Sequence, residues 1–387
     1  LAVLAADARL TAHLLAHGAD PDARDAQGHT PLHLALGLPT GQAIPVLQQL
    51  LLAGANLDAP TANGETALGL ALVRDQPDLA WWLDWSPWPL PRRRLRAGDL
   101  VAAAAAGDRA AVARLLELDL PLDSVDGHGA TALIRAAGAG HTALVVELLE
   151  AGADPAITAH VGMHALAAAV SARRDTVVHT LLSHGVAADL PLSGGATSLA
   201  LAAALGQVAL ADTLLQAGAD ANAADTSGNT PLHAAAQFAF ERGDPDVATA
   251  LFELLLRHGA RPGSRNHAGQ DVVLILLGAG AKPGAPCDAD VLRRLLEHLL
   301  RNGATLDIQD QRGVSALHAC AMHGLLGCAR LLKSYGASLD LVDSLDRRAA
   351  DVAALLGYTD VANELDCLAD TLPGVRQTLR QPARLQD

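Results

Sequence analysis

Residues 225–235 read DTSGNTPLHAA, and residues 25–35 read DAQGHTPLHLA. Looser copies stand at 63–71 (NGETALGLA), 126–137 (DGHGATALIRAA) and 310–321 (DQRGVSALHACA). Each position in the phrase has a physical reason. Gly28, Gly129, Gly228 and Gly313 fall where a tight turn needs positive φ, which glycine adopts without steric cost. Thr30 or Thr230 can cap a helix N-terminus with its hydroxyl, and Pro31 or Pro231 fills the first helical position, where no backbone N–H is required. The Leu and Ala residues that follow make a short, thin helix that a neighbour can approach closely.

A second phrase follows at a steady distance: an apolar helix, Leu-Leu, two residues, then Gly-Ala-Asp. It reads LLAHGAD at 14–20, LLEAGAD at 148–154 and LLQAGAD at 214–220. Gly152, Gly185 and Gly218 are 33 residues apart, as are Gly303 and Gly336, whereas the steps 218 to 259 and 259 to 303 carry insertions. These glycines close the second helix in a left-handed C-cap. One such helix pair cannot bury its own apolar face, so neighbours must stack on it. Composition agrees: half the residues are hydrophobic but only 2% are aromatic, and 35 glycines and 19 prolines suit many short helices.

The 33-residue period, the TPLH box and the Gly-Ala-Asp ending followed by an Asp-x-x-Gly turn together resemble the ankyrin repeat family, over most of residues 1–370. The resemblance implies an all-α, curved solenoid of about ten helix-turn-helix units with short hairpin loops, and a role in protein recognition. It implies that His33, His233 and His318, which end the box, tie neighbouring loops together by hydrogen bonds. The expected organisation is N-terminal repeats at 1–78, a Trp/Pro/Arg-rich irregular connector at 79–97, a main array at 98–370 and a loose or partly helical tail at 371–387. Residues 1–24 read as the end of a repeat, and with Leu1 they suggest a piece cut from a longer chain. Three units depart from the pattern. At 159–191, His164-Ala165-Leu166 replaces Thr-Pro-Leu and weakens the cap. At 225–265 the helical linker lengthens through Phe238 and Phe240. At 266–309, Asp271-Val272-Val273 replaces the box, and GAGAKPGAPCDAD (278–290) reads as an exposed inserted loop.

The connector, LAWWLDWSPWPLPRRRLR at 79–96, holds all four tryptophans. Trp81, Trp85 and Trp88 have helical spacing, but the prolines at 87, 89 and 91 end any helix. One reading is an aromatic-basic anchor for a partner or a membrane surface. The other is a hydrophobic plug between two stretches of repeats, which is favoured because exposed aromatic patches of this size are uncommon.

Several function classes are excluded. The formal net charge is −14, so nucleic acid, which requires a basic face, is not an expected partner. Cys287, Cys320, Cys328 and Cys367 are too few for a disulfide scaffold and read as free thiols in a reducing compartment. In HACAMHGLLGC (318–328), Cys320, His323 and Cys328 lack the spacing of a zinc site. No nucleophile elbow, phosphate-binding loop or dinucleotide fingerprint occurs, so no enzyme activity, cofactor or metal is expected. No apolar run is long enough to span a bilayer, and no signal peptide is evident, which points to a cytoplasmic location. Ala-rich, Arg-over-Lys usage suggests a high-GC bacterial source.

The expected function is a non-catalytic scaffold that binds another protein along the concave groove. The alternative is a targeting arm of a larger enzyme or secreted effector whose catalytic part lies elsewhere. In the family, partners lie against the hairpin tips and the exposed positions of the first helix. Carried over unit by unit, those positions are Gln27, His29 and Leu34, then His128, Arg135, His160 and Met163. Ser193, Leu205, Thr226, Ser227, Asn229, Gln237 and Phe238 follow, then His267, Gln270, Gln311, Arg312, Met322 and His323. Trp81, Trp85 and Trp88 are added in case the connector is the anchor. Phe238 and Arg312 are expected to be replaceable without loss of stability.

Overall fold

The structure, a computed structural model, describes residues 1–86, 88–242 and 244–366. The expected tail at 371–387 and Cys367 lie outside the described residues. Among the described residues there are 21 helices and no strand beyond isolated bridges such as Val125–Thr131. The chain divides into two compact units, Leu1–His184 and Gly185–Asp387.

Within each unit, helices pair as antiparallel hairpins. In the first, Ala132–Ala139 pairs with Thr142–Glu150, and Ala165–Ser171 with Asp175–Ser183. In the second, Ser198–Ala204 pairs with Val208–Gln216, and Pro231–Arg242 with Pro245–Arg257. First helices pack on first helices and second on second. Alanines such as Ala132, Ala136, Ala165 and Ala169 are fully buried at these contacts, where any larger side chain would force the helices apart.

Short helices lose a large share of their backbone hydrogen bonds at their ends, so caps matter here more than in long helices. The hydroxyls of Thr66, Thr131 and Thr197 accept from the amides of Gly69, Ile134 and Ala200. At 159–191 the weaker cap expected from the sequence is replaced by a different one. His164 is fully buried, and its Nδ1 accepts from the Ala167 amide at 3.2 Å. Asp271 does the same with a carboxylate, accepting from the Leu274 amide at 2.9 Å.

In the full boxes the hydroxyl serves another purpose than the simple cap the sequence suggests. The Thr30 amide donates to His33 Nδ1 at 3.1 Å, and the Thr30 hydroxyl lies 2.8 Å from the same atom. An amide can only donate, so Nδ1 is unprotonated and Nε2 carries the hydrogen. Nε2–H then donates to the Glu65 carbonyl of the next repeat at 3.2 Å. His233 repeats this with Thr230 and the Gln270 carbonyl, and His318 with Ser315 and the Arg347 carbonyl. Burial holds the His33 and His233 imidazoles below their ordinary pKa. Their contribution is therefore present above pH 6.5 and is lost as pH falls through the lower folded value.

The loops are also stitched directly. The amides of Ala62, His160, Thr226, His267, Gln311 and Ser344 donate to carbonyls of the preceding loop, at Gln27, His128, Gly194, Ser227, Ala268 and Arg312. Gly228 shows why glycine stands at the turn. Its φ is +81°, and a Cβ there would meet Asn266 Cα of the next loop at 2.9 Å.

The insertions are taken up mainly by helix length. Pro231–Arg242 has 12 residues and Pro245–Arg257 has 13, against 7 and 9 in the preceding unit. In the next unit the first helix shrinks to Val272–Leu276, and the second, Ala289–Arg301, has 13 residues. The segment from 278 is not simply an exposed loop. Ala279 is fully buried, the Gly278 carbonyl accepts from His323 Nε2 at 2.9 Å, and the Gly284 amide donates to the Met322 carbonyl.

The connector is folded. Pro77–Leu83 is helical, and Trp82 and Trp85 are buried. Trp85 Nε1–H donates to the Trp82 carbonyl at 2.8 Å. The buried Arg114 guanidinium lies 4.9 Å from the Trp81 ring centre and 5.4 Å from that of Trp85. This is a cation–π clamp in a site where burial lowers the arginine pKa while Asp84 and Asp108 oppose the shift. Arg93 makes a two-pronged pair with Asp99, which in turn accepts from the Arg96 amide.

Two outcomes follow. Replacing His318 with Leu strands the Ser315 amide and the Arg347 carbonyl, and should lower stability by about 3 kcal/mol, read by urea denaturation. Asp271 is fully buried with Oδ2 unpartnered, and burial raises its pKa to about 6 against the pull of the Leu274 amide and Arg265. The folded state thus holds this proton more tightly than the unfolded state. Its contribution is full below about pH 4 and is lost as pH rises through about 6. Asp271→Thr keeps an N-cap oxygen without the charge. It should stabilise the protein by about 1–3 kcal/mol at pH 7.5 and reduce the loss of stability between pH 4 and 6. A variant no more stable than the parent at pH 7.5 would contradict this account.

Candidate partner-binding surface

The hairpin loops and the outward side of the first helices form one face in each unit. In the first unit the His128 and His160 side chains are exposed, and a Cβ on Gly129 would fall 2.5 Å from the His160 ring. Arg135 is half-buried and turned back on its own loop, donating to Asp126 Oδ2 through Nε at 2.8 Å and Nη2 at 2.5 Å. Although desolvation works the other way, the bonds from Arg135 and the loop amides hold the Asp126 carboxyl below its usual pKa. Met163 is half-buried. Trp85 is 6% exposed and Trp81 and Trp88 are half-buried, so the tryptophans form the packed plug and not an open aromatic patch. At the other ends of the helices, a cleft of about 360 Å3 lies between Leu15, Leu52, Leu95 and Leu120, with Arg94 and Arg96 beside it.

In the second unit the structure separates the candidates. Thr226, Gln237, His267, Gln311 and Arg312 are exposed, and Asn229 and Met322 are half-buried. Gln311 Nε2 bonds the His267 carbonyl. Arg312 is partly committed, bonding Asp310 and the Ala279 carbonyl. Phe238 is not a surface residue. It is 7% exposed, and its ring fills the space beside Gly206, where a Cβ would come within 2.5 Å of it. His323 is 8% exposed and stacks edge-on against Phe240, with ring centres 5.1 Å apart. Both were expected to face a partner, and both instead hold neighbouring repeats together.

A cleft of about 330 Å3 opens on this face between residues 192 and 275, at the lower end of ligand-sized clefts, roughly 300–1,000 Å3. Asn229, Gln237 and one edge of Phe238 line it. Its floor is Leu201, Ala234 and Ile275, and Asp225 and Glu241 stand at its sides. These five were not singled out from the sequence. Leu201, Ala234 and Ile275 each stand four residues after their helix cap, where the unit at 126 has Arg135. Leu34, Leu70 and Val352 stand at the same position in other repeats, so apolar character there did not by itself mark the cleft.

Among the described residues, no three His, Cys, Asp or Glu side chains converge as a metal site. Cys320 is fully buried, and burial, with Cys328 beside it, pushes its thiol well above the ordinary pKa, away from the nucleophilic thiolate.

Stacked helix hairpins with hydrogen-bonded loops define a helical repeat protein. The sequence profile described as "Ankyrin repeats (3 copies)" matches residues 1–84, 100–191, 166–266 and 288–370. The chain therefore belongs to the ankyrin repeat family, whose repeats carry a protein–protein interaction role. A 69-residue segment is 33% identical to mouse Synphilin-1, covering 18% of this chain and 7% of that protein. Among the described residues no helix is long and apolar enough to cross a membrane.

The packing of Phe238 sets a test. Phe238→Ala should cost about 3–5 kcal/mol, seen as a lower urea midpoint, whereas Gln237→Ala on the same helix should change stability by no more than about 0.5 kcal/mol.

Proposed function

We propose that the chain is a non-catalytic recognition scaffold. On this reading a segment of a partner protein lies along the loop and first-helix face of residues 185–366 and inserts a side chain into the cleft over Leu201, Ala234 and Ile275. The observation that carries this reading is the apolar floor. At the same position other repeats carry Leu34, Leu70, Arg135, Ala168, Ala319 and Val352, so the hollow, and not apolar character alone, marks this place. Here three neighbouring repeats present apolar side chains around a hollow rimmed by polar groups. Such a site matches the anatomy of an interaction hot spot, with an apolar centre and a polar rim. Because the loops are stitched by backbone bonds, the exposed Thr226 and His267 side chains stand on fixed backbone, which reduces the ordering cost of binding.

A photo-crosslinking amino acid at Gln237 should capture a discrete partner from cell extract, and Ala234→Trp, which fills the cleft, should abolish that capture. The same probe at Gln216, on the exposed side of the second helix, should capture none. Equal labelling from both positions would remove the cleft from the proposal.

A further inference from the structure

We infer that the cleft takes a cationic side chain from its partner: an arginine or lysine adjoining a bulky apolar residue. This rests on the proposed binding face and names the chemistry of its occupant.

The argument comes from comparing the hairpin loops with one another. Five described loops begin with aspartate at the same position: Asp25, Asp126, Asp225, Asp310 and Asp343. In each, Oδ1 accepts amides of its own loop, as Asp225 does from Ser227 and Asn229 at 2.8 Å. Oδ2 is left for a side chain. Asp126 gives it to Arg135, Asp310 to Arg312, Asp343 to Arg347 and Asp25 to the His29 ring. Among the described residues, Asp225 Oδ2 accepts only from the Asn229 side-chain amide, at a long 3.3 Å. Among the described side chains, no arginine or lysine bonds to Asp225. The position that holds Arg135 in the unit at 126 is Ala234 here, and Ala234 lines the cleft.

The fold thus supplies a carboxylate already oriented by two amides, removes the cation that pairs with its counterpart elsewhere, and leaves a hollow in its place. Glu241 stands further along the same helix, one carboxylate oxygen taken by Gln237 Nε2 at 2.7 Å. From Pro231 to Glu241 the helix is roughly 15 Å long, so the two acids bracket the apolar floor. A guanidinium or ammonium entering from outside would find the charge-assisted bond that Arg135 makes within its own loop. Its aliphatic stem and an apolar neighbour would cover Leu201 and Ile275. Acidic walls of this kind repel phosphate, so a nucleic acid is a poor occupant.

The test selects 12-residue peptides from a displayed random library on the full chain and keeps those whose binding Ala234→Trp abolishes. The inference expects these peptides to carry Arg or Lys beside Leu, Met or Phe. It expects Asp225→Asn, which keeps the Oδ1 acceptor and hence the loop, to weaken them about tenfold. Glu241→Gln, at an exposed position, provides a second variant and should act in the same direction. Peptides that occupy the cleft without a cation, or that bind Asp225→Asn and Glu241→Gln as tightly as the parent, would overturn the inference and leave the binding face standing. Failure to select any peptide sensitive to Ala234→Trp would overturn both.

Discussion

Where the box is complete, the structure depends on a relay through an imidazole ring. At His33, His233 and His318 the ring accepts from its own cap residue through Nδ1 and donates to the next repeat through Nε2. Helices as short as Val272–Leu276 would not persist alone in water. They persist because each is clamped at its start and pressed between alanine-lined neighbours. The ring fixes the start of one helix and the approach of the next loop in a single bonded unit, so local order and stacking are not separate achievements. Where the ring is missing, another group takes over the helix start, as at His164 and Asp271, and the stitching amides keep the loops together.

The second theme is pairing of charge within a repeat. The loop aspartates are oriented by amides and in three of the five described loops paired with an arginine of the same unit. Such half-exposed pairs add little stability, but each balances the charge of its own loop aspartate. Against that background two carboxylates without a described cation partner, Asp225 and Glu241, beside an apolar hollow make a chemically distinct place, the kind that specificity on an otherwise repetitive surface requires.

The repeats and their period were legible in the sequence because they are written in residues with few substitutes: glycine at positive φ, proline at the first helical position, paired leucines before the closing glycine. The candidate surface was legible in part. Asn229 and Gln237 line the cleft, and Thr226 and His267 are exposed beside it. Phe238 and His323 were misplaced for one reason. Their surroundings are set by a glycine or a lengthened helix in another repeat, Gly206 for the first, and Gly278 with Phe240 for the second. Spacing along the chain does not report what lies across it. Asp271 was read only as part of a replaced box; its cap role and its altered acidity came with the structure, the latter from burial between repeats. The connector was read as a plug, and the tryptophans are packed, yet the clamp on Arg114 depends on a residue some thirty positions away.

The lengthened helices at 231–257 and 289–301 have a consequence for registration. A ladder of identical rungs offers a long ligand many equivalent alignments, each displaced by one step. Unequal rungs remove that degeneracy. On the proposed binding mode, a ligand shifted by one unit from Ala234 would meet the five-residue helix Val272–Leu276 where it had met one of twelve, and its contacts would fall out of phase. Irregular spacing thus works as a ruler with one uneven mark, giving an elongated guest a single address along the stack.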